Sequence, residues 1–136
     1  MNRWLMEGAA SSGDYLRAVT LMQQIARRIV AFFATYDVLL LPTYLHPPIR
    51  VGAWANLSPA ATLEQIIRWI APCPPFNASG QPAIALPAGF TAQGLPVGIQ
   101  LVGRPAAEAT LIALATQIEA AQPWSHLRPD FAVIKG

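Results

Sequence analysis

Charge is what this chain has least of. Asp, Glu, Lys and Arg make up 12% of its 136 residues, while 54% are hydrophobic; an ordinary soluble domain carries ~25% charge. A domain of this length leaves much of its surface exposed, and so few charges solvate it poorly. Either a large apolar surface meets a partner or the chain is part of a bigger protein; the second is expected. Lysine occurs once, as Lys135. The formal charge is only +2 and the one adjacent basic pair is Arg27-Arg28, which excludes the concentrated basic footprint of a nucleic-acid binder. Cysteine also occurs once, as Cys73, so no intrachain disulfide forms, in keeping with a reducing cytoplasm. The 2 histidines and 7 carboxylates show no metal-ligand spacing, and neither a metal nor a cofactor is expected. No run approaches the ~20 apolar residues of a membrane span: the best candidate, Ile29 to Leu41, is broken by Asp37. Met1-Asn2-Arg3-Trp4 leads into Glu7 and small residues without the apolar segment of a secretory signal. A cytoplasmic location is expected.

Proline, by contrast, is abundant, with 13 residues that divide the chain into short elements. Ser11, Ser12, Gly13 and Asp14 form a helix start. Tyr15, Val19, Met22, Ile25 or Ala26, Ile29 and Phe33 then recur at helical spacing to about Thr35, with Arg17, Gln24 and Arg28 on another face. Tyr36-Asp37 ends this helix. Val38 to Leu41 is a short apolar strand stopped by Pro42, and its composition predicts a central place in a sheet. Thr43 to Pro59 reads as loop. Ser58-Pro59 starts a second helix over about Ala60 to Ile70, which Pro72, Pro74 and Pro75 end. A last helix is expected to begin at Pro105, with Glu108 in its first turn, a stripe of Leu111, Leu114 or Ala115, Ile118 and Ala121, and Pro123 as its stop. Met1 to Ala10 has no start signal, and the tail through Trp124, His126, Pro129 and Phe131 has no period. Trp4, Trp54, Trp69 and Trp124 are dispersed and expected to pack. A helix delivering directly into a buried strand is α/β grammar, and no repeat or linker divides the chain.

Between the second and last helices lies Phe76 to Arg104. Ala83 to Leu86 and Val97 to Val102 are apolar runs of strand length, bracketed by Gly and Pro. Pro82, Pro87 and Pro96 stand at the run ends, where a missing N–H disturbs a ladder least. Gly89 and Gly94 suit a bulged or extended connection rather than a two-residue hairpin. Gln100 interrupts the second run and needs a hydrogen-bond partner wherever it is buried.

The ordered motifs Asn77-x-Ser79-Gly80-x-Pro82-Ala83, Leu86-Pro87-x-Gly89 and Gly94-Leu95-Pro96-Val97-Gly98-x-Gln100-Leu101-Val102-Gly103 resemble the C-terminal part of the amidase signature family. The helix leading into Tyr36-Asp37-Val38-Leu39-Leu40-Leu41-Pro42-Thr43 is similar as well, so the resemblance runs from near Asp14 to Trp124. It implies an α/β fold with a large mixed sheet flanked by helices. It also implies that residues 1–136 are the C-terminal fragment of one such domain, without an internal boundary. The implied reaction is hydrolysis of a carboxamide C–N bond through an acyl-serine intermediate. That chemistry uses a nucleophilic Ser, a cis-linked Ser passing protons to a neutral Lys, and backbone N–H donors for the oxyanion. The family draws these groups from a Gly-Ser-Ser-Gly-rich segment and a Lys upstream of it. In this chain Lys135 stands next to the last residue, where a solvated amine stays protonated. Ser11-Ser12-Gly13 follows Ala9-Ala10 and precedes Asp14, ahead of the helix that resembles a late element of the family, so it reads as a helix cap. No catalytic residue is therefore expected here.

The resemblance places substrate-lining residues at Thr43, on a strand end where α/β sheets gather sites, and at Asn77, Ser79 and Gly80 in a turn. The alternative for Asn77 and Ser79 is satisfaction of local backbone groups. Cys73 with His46 or His126 is a conceivable thiol–imidazole pair, but nothing in the spacing joins them, and a Cys between Pro72 and Pro74 reads as packed. Asn77-Ala78-Ser79 matches a glycosylation sequon by chance, given no secretion signal, and Gly94 to Gly103 lacks the strand–Gly-x-Gly-x-x-Gly–helix order of a nucleotide loop. The expected partners are a small-molecule amide and the missing N-terminal portion of the same enzyme, with no nucleic acid or membrane; a homo-oligomer is compatible. Alone, the chain is expected to be inactive and poorly soluble. Other readings are one half of a split amidase, a binding or scaffold module without catalysis, a glutaminyl-tRNA transamidation subunit fragment, and a stand-alone hydrolase using Cys73. Linear, aryl and cyclic amides fit the same pattern, and Thr43 to Pro75, the least regular stretch, is expected to shape the choice.

Overall fold

A short polar side chain fixes where the first element begins. The computed structural model describes residues 11–127, so Trp4, Pro129, Phe131 and Lys135 lie outside the described residues. Ser11 caps helix α1 (Ser12–Phe32) through a reciprocal pair: its hydroxyl accepts from the Asp14 N–H at 3.3 Å, and the Asp14 carboxylate accepts from the Ser11 N–H at 2.9 Å. That arrangement satisfies two donors that a helix start otherwise leaves open. The Ser11 hydroxyl, then the Arg17 guanidinium and the Ser11 N–H, hold the Asp14 carboxyl below its ordinary value. The Ser11-Ser12-Gly13 segment is a cap.

Strand β1 (Val38–Pro42) follows, then helix α2 (Pro59–Trp69), whose Ser58 cap accepts from the Ala61 N–H at 3.2 Å. A short helix α3 (Pro74–Ser79) comes next and closes on Gly80 in the left-handed conformation, φ 70°. This helix was not anticipated. Pro74 and Pro75 end α2, but proline is also tolerated in the first turn of a helix, and here they open the next one. Strands β2 (Ala83–Phe90) and β3 (Pro96–Gly103) each extend beyond the apolar runs, and helix α4 (Glu108–Ala121) completes the order. α4 starts at Glu108 rather than Pro105, because Ala106 takes φ 60° and the Ala107 N–H closes a turn onto Arg104 O.

The three strands form an antiparallel sheet in the order β1-β3-β2. The expectation of a central β1 is corrected: β3 is central and β1 lies at an edge of the described sheet. β3 takes that place because it is covered on both faces, with Leu101 2% and Val102 0% exposed, whereas Leu40 of β1 is 59% exposed. Successive strand residues alternate between faces. Ile99 and Leu101 join Leu86, Ile84 and Val38 against Leu111, Ala115, Leu114 and Ile118 of α4, with Trp124 beside them. Val102 turns the other way, onto Phe33, Phe76, Ile29, Leu39 and Leu41. The result is a sheet between α4 on one side and α1 with α3 on the other. Gly103 lets α4 close, since a Cβ there would stand 3.2 Å from the Leu111 Cγ. The ladder of β2 shifts between Pro87 and Gly89, where Gly89 takes φ 123°; this is the bulge that the glycine spacing suggested.

The apolar stripe of α1 is only partly covered. Tyr15, Leu16, Leu21, Met22 and Ile25 are each at least 45% exposed, and no residue of the helix is fully buried. No helix among the described residues is long and apolar enough to cross a membrane.

Two substitutions test this account. Leu101→Ala should lower unfolding free energy by roughly 2–5 kcal/mol in urea titrations, and a loss well under 1 kcal/mol would remove β3 from the centre of the core. Ser11→Ala should lower it by ~1 kcal/mol. Because the Asp14 carboxyl is held low, its contribution is complete above the unfolded carboxylate range and fades as pH falls through the lowered value. Asp14→Asn should therefore lower α1 helicity at neutral pH and flatten its acid limb in circular dichroism, the two proteins converging in acid.

Candidate functional site

Where β1 ends at Pro42, the chain turns across the ends of β2 and β3. Residues 43–48 form one bank of an open groove of about 520 Å³, and Ala85, Leu86, Pro87, Pro96, Val97 and Gly98 form the other. Its wall is mostly apolar. The polar exception in its first turn is Thr43, which the backbone holds from two sides. The Thr43 N–H donates to Gly98 O at 3.1 Å, and its carbonyl accepts from the Cys73 thiol at 3.4 Å. The Thr43 hydroxyl is buried and has no hydrogen-bond partner among the described residues. Burying such a group unpaired costs roughly 1–3 kcal/mol, which sets Thr43 apart from Gln81 and Gln100, whose buried amides are paired. Gly98 eases this approach: a Cβ there would stand 3.0 Å from Thr43 Oγ1.

Gln100 secures the base of the same turn. It is 5% exposed, and its amide nitrogen donates to Pro72 O at 3.2 Å, with Pro42 O at 3.5 Å. The buried glutamine thus has the partner its position in an apolar strand demanded. It ties the end of β1 to the segment between α2 and α3.

An aromatic cluster on α2 fixes the far end of the bank. The Trp69 indole N–H donates to His46 O at 3.0 Å, and the Leu45 N–H donates to Trp69 O at 3.0 Å. The His46 ring stacks on Trp69 with centroids 5.5 Å apart, Tyr44 lies at 4.8 Å and Trp54 meets the same ring edge-on at 5.9 Å. Such contacts contribute roughly 0.5–1.5 kcal/mol per pair. Trp54 and Trp69 pack as expected, and Trp69 does so against Tyr44 and His46 of the groove's bank.

The four residues singled out for substrate contact are not brought together. Thr43 lines the groove. Asn77 and Ser79 lie on α3 and Gly80 is its cap, a helix that packs against α1. Asn77 is exposed. The Ser79 hydroxyl donates to Gln81 Oε1 at 2.8 Å, and the buried Gln81 donates in turn to Gly103 O at 2.9 Å. Cys73 and the histidines are also separate in their bonding: the thiol meets Thr43 O, the His46 Nδ1 faces Pro47 O, and His126 lies beside Pro87 and Gly89. Among the described residues no group of three or more His, Cys, Asp or Glu is placed to hold a metal. The sequence did not reveal Tyr44, His46 and Trp69 as one cluster, nor the pairing of Gly98 with Thr43. A glycine inside a strand signals close approach, and Gly98 carried that signal.

The family model for amidases matches residues 1–112. The chain belongs to the amidase family. A Synechocystis protein named "Putative amidase" is 53% identical over 119 residues, covering 88% of this chain and 24% of that protein. Among solved structures, a 6-aminohexanoate cyclic dimer hydrolase in complex with substrate superposes with a TM-score of 0.75 at 29% identity, over 89% of this chain and 27% of its own. A bacterial aryl acylamidase of the amidase signature family superposes with a TM-score of 0.74 at 27% identity, over 94% of this chain and 28% of its own. This amidase chain thus spans about a quarter of the length of the relatives it matches.

Removing the Trp69 indole tests how the groove is held. Trp69→Ala should speed hydrogen exchange at the Leu45 amide about tenfold, the equivalent of ~1.4 kcal/mol, while the amides of Leu101 and Val102 keep their protection. Unchanged exchange at Leu45 would mean that the loop stands without the aromatic cluster.

Proposed function

We propose that this chain forms one wall of the substrate pocket of an amidase that hydrolyses carboxamide C–N bonds through an acyl-serine intermediate. The observation that carries the reading is the unpartnered Thr43 hydroxyl, buried just behind the wall of an otherwise apolar groove, in a chain of the amidase family. An amide group offers both a carbonyl acceptor and an N–H donor, and a hydroxyl serves either. In this reading Thr43 orients the amide while Leu86, Val97 and Tyr44 bury its apolar body. The nucleophilic Ser, its cis-linked partner and the Lys base come from the part of the domain that relatives carry beyond this quarter. The chain alone is inactive.

Asn77, Ser79 and Gly80 then act at one remove. α3 begins after Cys73, whose thiol meets the Thr43 carbonyl, so the helix positions Thr43 rather than touching substrate. The apolar wall and the aromatic bank favour amides with aryl or aliphatic bodies over strongly polar ones. A small amide of that kind and a cytoplasmic setting suit a chain with a single thiol.

The experiment joins this chain to the N-terminal three quarters or so of the Synechocystis relative and follows amine or ammonia release from linear, aryl and cyclic amides. Turnover is expected from the joined protein and none from this chain alone. Thr43→Val should raise KM roughly tenfold, the fold-change of one lost hydrogen bond of ~1–2 kcal/mol, while thermal stability holds. Hydrolysis by the isolated chain that thiol alkylation abolishes would replace this reading with a Cys73 hydrolase. Unchanged KM for Thr43→Val would remove Thr43 from the site.

A further inference from the structure

The polar side chains that line the groove, Thr43, Tyr44 and His46, all stand on one bank, and the facing bank offers only apolar ones. His46 lies three residues beyond Thr43 in the chain. Three residues of extended backbone reach roughly 10 Å at most, so one small molecule can meet both.

The His46 ring is held in place more firmly than an exposed loop histidine needs to be. It stacks on Trp69 with 11° between the ring planes. Trp69 is itself pinned, donating its indole N–H to His46 O and accepting the Leu45 N–H at its own carbonyl. The stack covers a face of the imidazole and leaves its edge for polar contacts. One of those contacts is made: Nδ1 lies 2.9 Å from Pro47 O. A carbonyl only accepts, so Nδ1 carries the proton. In the neutral ring the lone pair then belongs to Nε2, and Nε2 meets no hydrogen-bond partner among the described residues. The groove thus carries an acceptor whose tautomer and ring plane are both set by the loop.

We propose that His46 is a specificity-determining residue, its Nε2 accepting a hydrogen bond from an N–H or O–H on the far end of the substrate's body. The inference rests on the functional reading above and narrows it: the preferred substrates are neutral carboxamides whose aryl or aliphatic body ends in a hydroxyl or a second N–H. The facing bank cannot satisfy such a donor, since it has no polar side chain. A site that hydrogen-bonds a substrate group discriminates against the analogue lacking it. His46 is exposed, so water pairs Nε2 when no donor arrives, and the discrimination stays modest.

Two measurements test the proposal. Nitrogen NMR on this full chain, with signals assigned through a His126→Gln variant, should show the His46 proton on Nδ1 and an unprotonated Nε2. The opposite tautomer would remove the acceptor and overturn the proposal, while leaving the functional reading untouched. The second measurement uses this chain joined to the N-terminal three quarters or so of the Synechocystis relative. Its substrates are phenylacetamide, phenylpropanamide and phenylbutanamide, each with and without a para-hydroxyl group. kcat/KM should favour the hydroxylated amide roughly five- to tenfold at one of these lengths, the range of one net hydrogen bond. His46→Phe keeps a ring on Trp69 without either nitrogen and should abolish that preference. His46→Gln, whose amide oxygen can accept, should restore most of it. Turnover without a preference at any length, or a preference that His46→Phe leaves in place, would overturn the proposal and leave the functional reading standing. A joined protein that hydrolyses none of these amides would overturn both.

Discussion

Leu101 and Val102 are neighbours in sequence that a strand must point to opposite faces, and both are almost wholly buried. A strand with that requirement is stable only with a layer on each side. α4 supplies one layer through Leu111 and Ala115, and α1 with α3 supplies the other through Phe33 and Phe76. The remaining features serve those contacts. Gly103 gives up its side chain so that Leu111 can approach, and Gln81 spans from the α3 cap to the Gly103 carbonyl. The three-layer arrangement is thus the consequence of one strand without a polar face.

The same strand carries the groove. One residue before Leu101, Gln100 places an amide among apolar neighbours and resolves the conflict by donating to Pro72 O. Two residues earlier again, Gly98 leaves the space that Thr43 fills. Core and groove are therefore consecutive parts of β3: its C-terminal half is packed on both faces, and its N-terminal half forms one bank of the groove. A change that shifts β3 along its register would move Thr43 and Leu101 together. Position of the groove and stability of the core are coupled through one backbone.

Local signals were legible in the sequence where the physics is local. The Ser11 cap, the long helix after it, the Ser58-Pro59 start, the glycine-assisted bulge and the demand of Gln100 for a partner all follow from nearest neighbours and periodicity. What required the tertiary structure was whatever depends on which strand lies beside which. Val38 to Leu41 is as apolar as β3, so composition alone could not tell an edge from a centre; the pairing of β3 with both neighbours decides it. Helix α3 escaped because two prolines that stop one helix also suit the first turn of another. Thr43 was singled out from its place at a strand end and lines the groove, while Asn77, Ser79 and Gly80, adjacent to it only by family pattern, stand on a different element. Tyr44, His46, Trp54 and Trp69 were each visible but unconnected, since their meeting depends on a loop folding back over α2.

The surface repeats what the composition announced. With 12% charge and 54% hydrophobic residues, the chain covers its sheet on both faces and still leaves the α1 stripe and Leu40 open. In the proposed reading those faces and the unpartnered Thr43 hydroxyl belong to one side of a larger site. The direct measurement is a crystal structure of this chain joined to the rest of an amidase domain, with a non-hydrolysed amide bound. The account predicts the amide within hydrogen-bond distance of Thr43 Oγ1, its body lying against Leu86 and Val97. An amide bound elsewhere, with the Thr43 hydroxyl still unpartnered behind the loop, would contradict it.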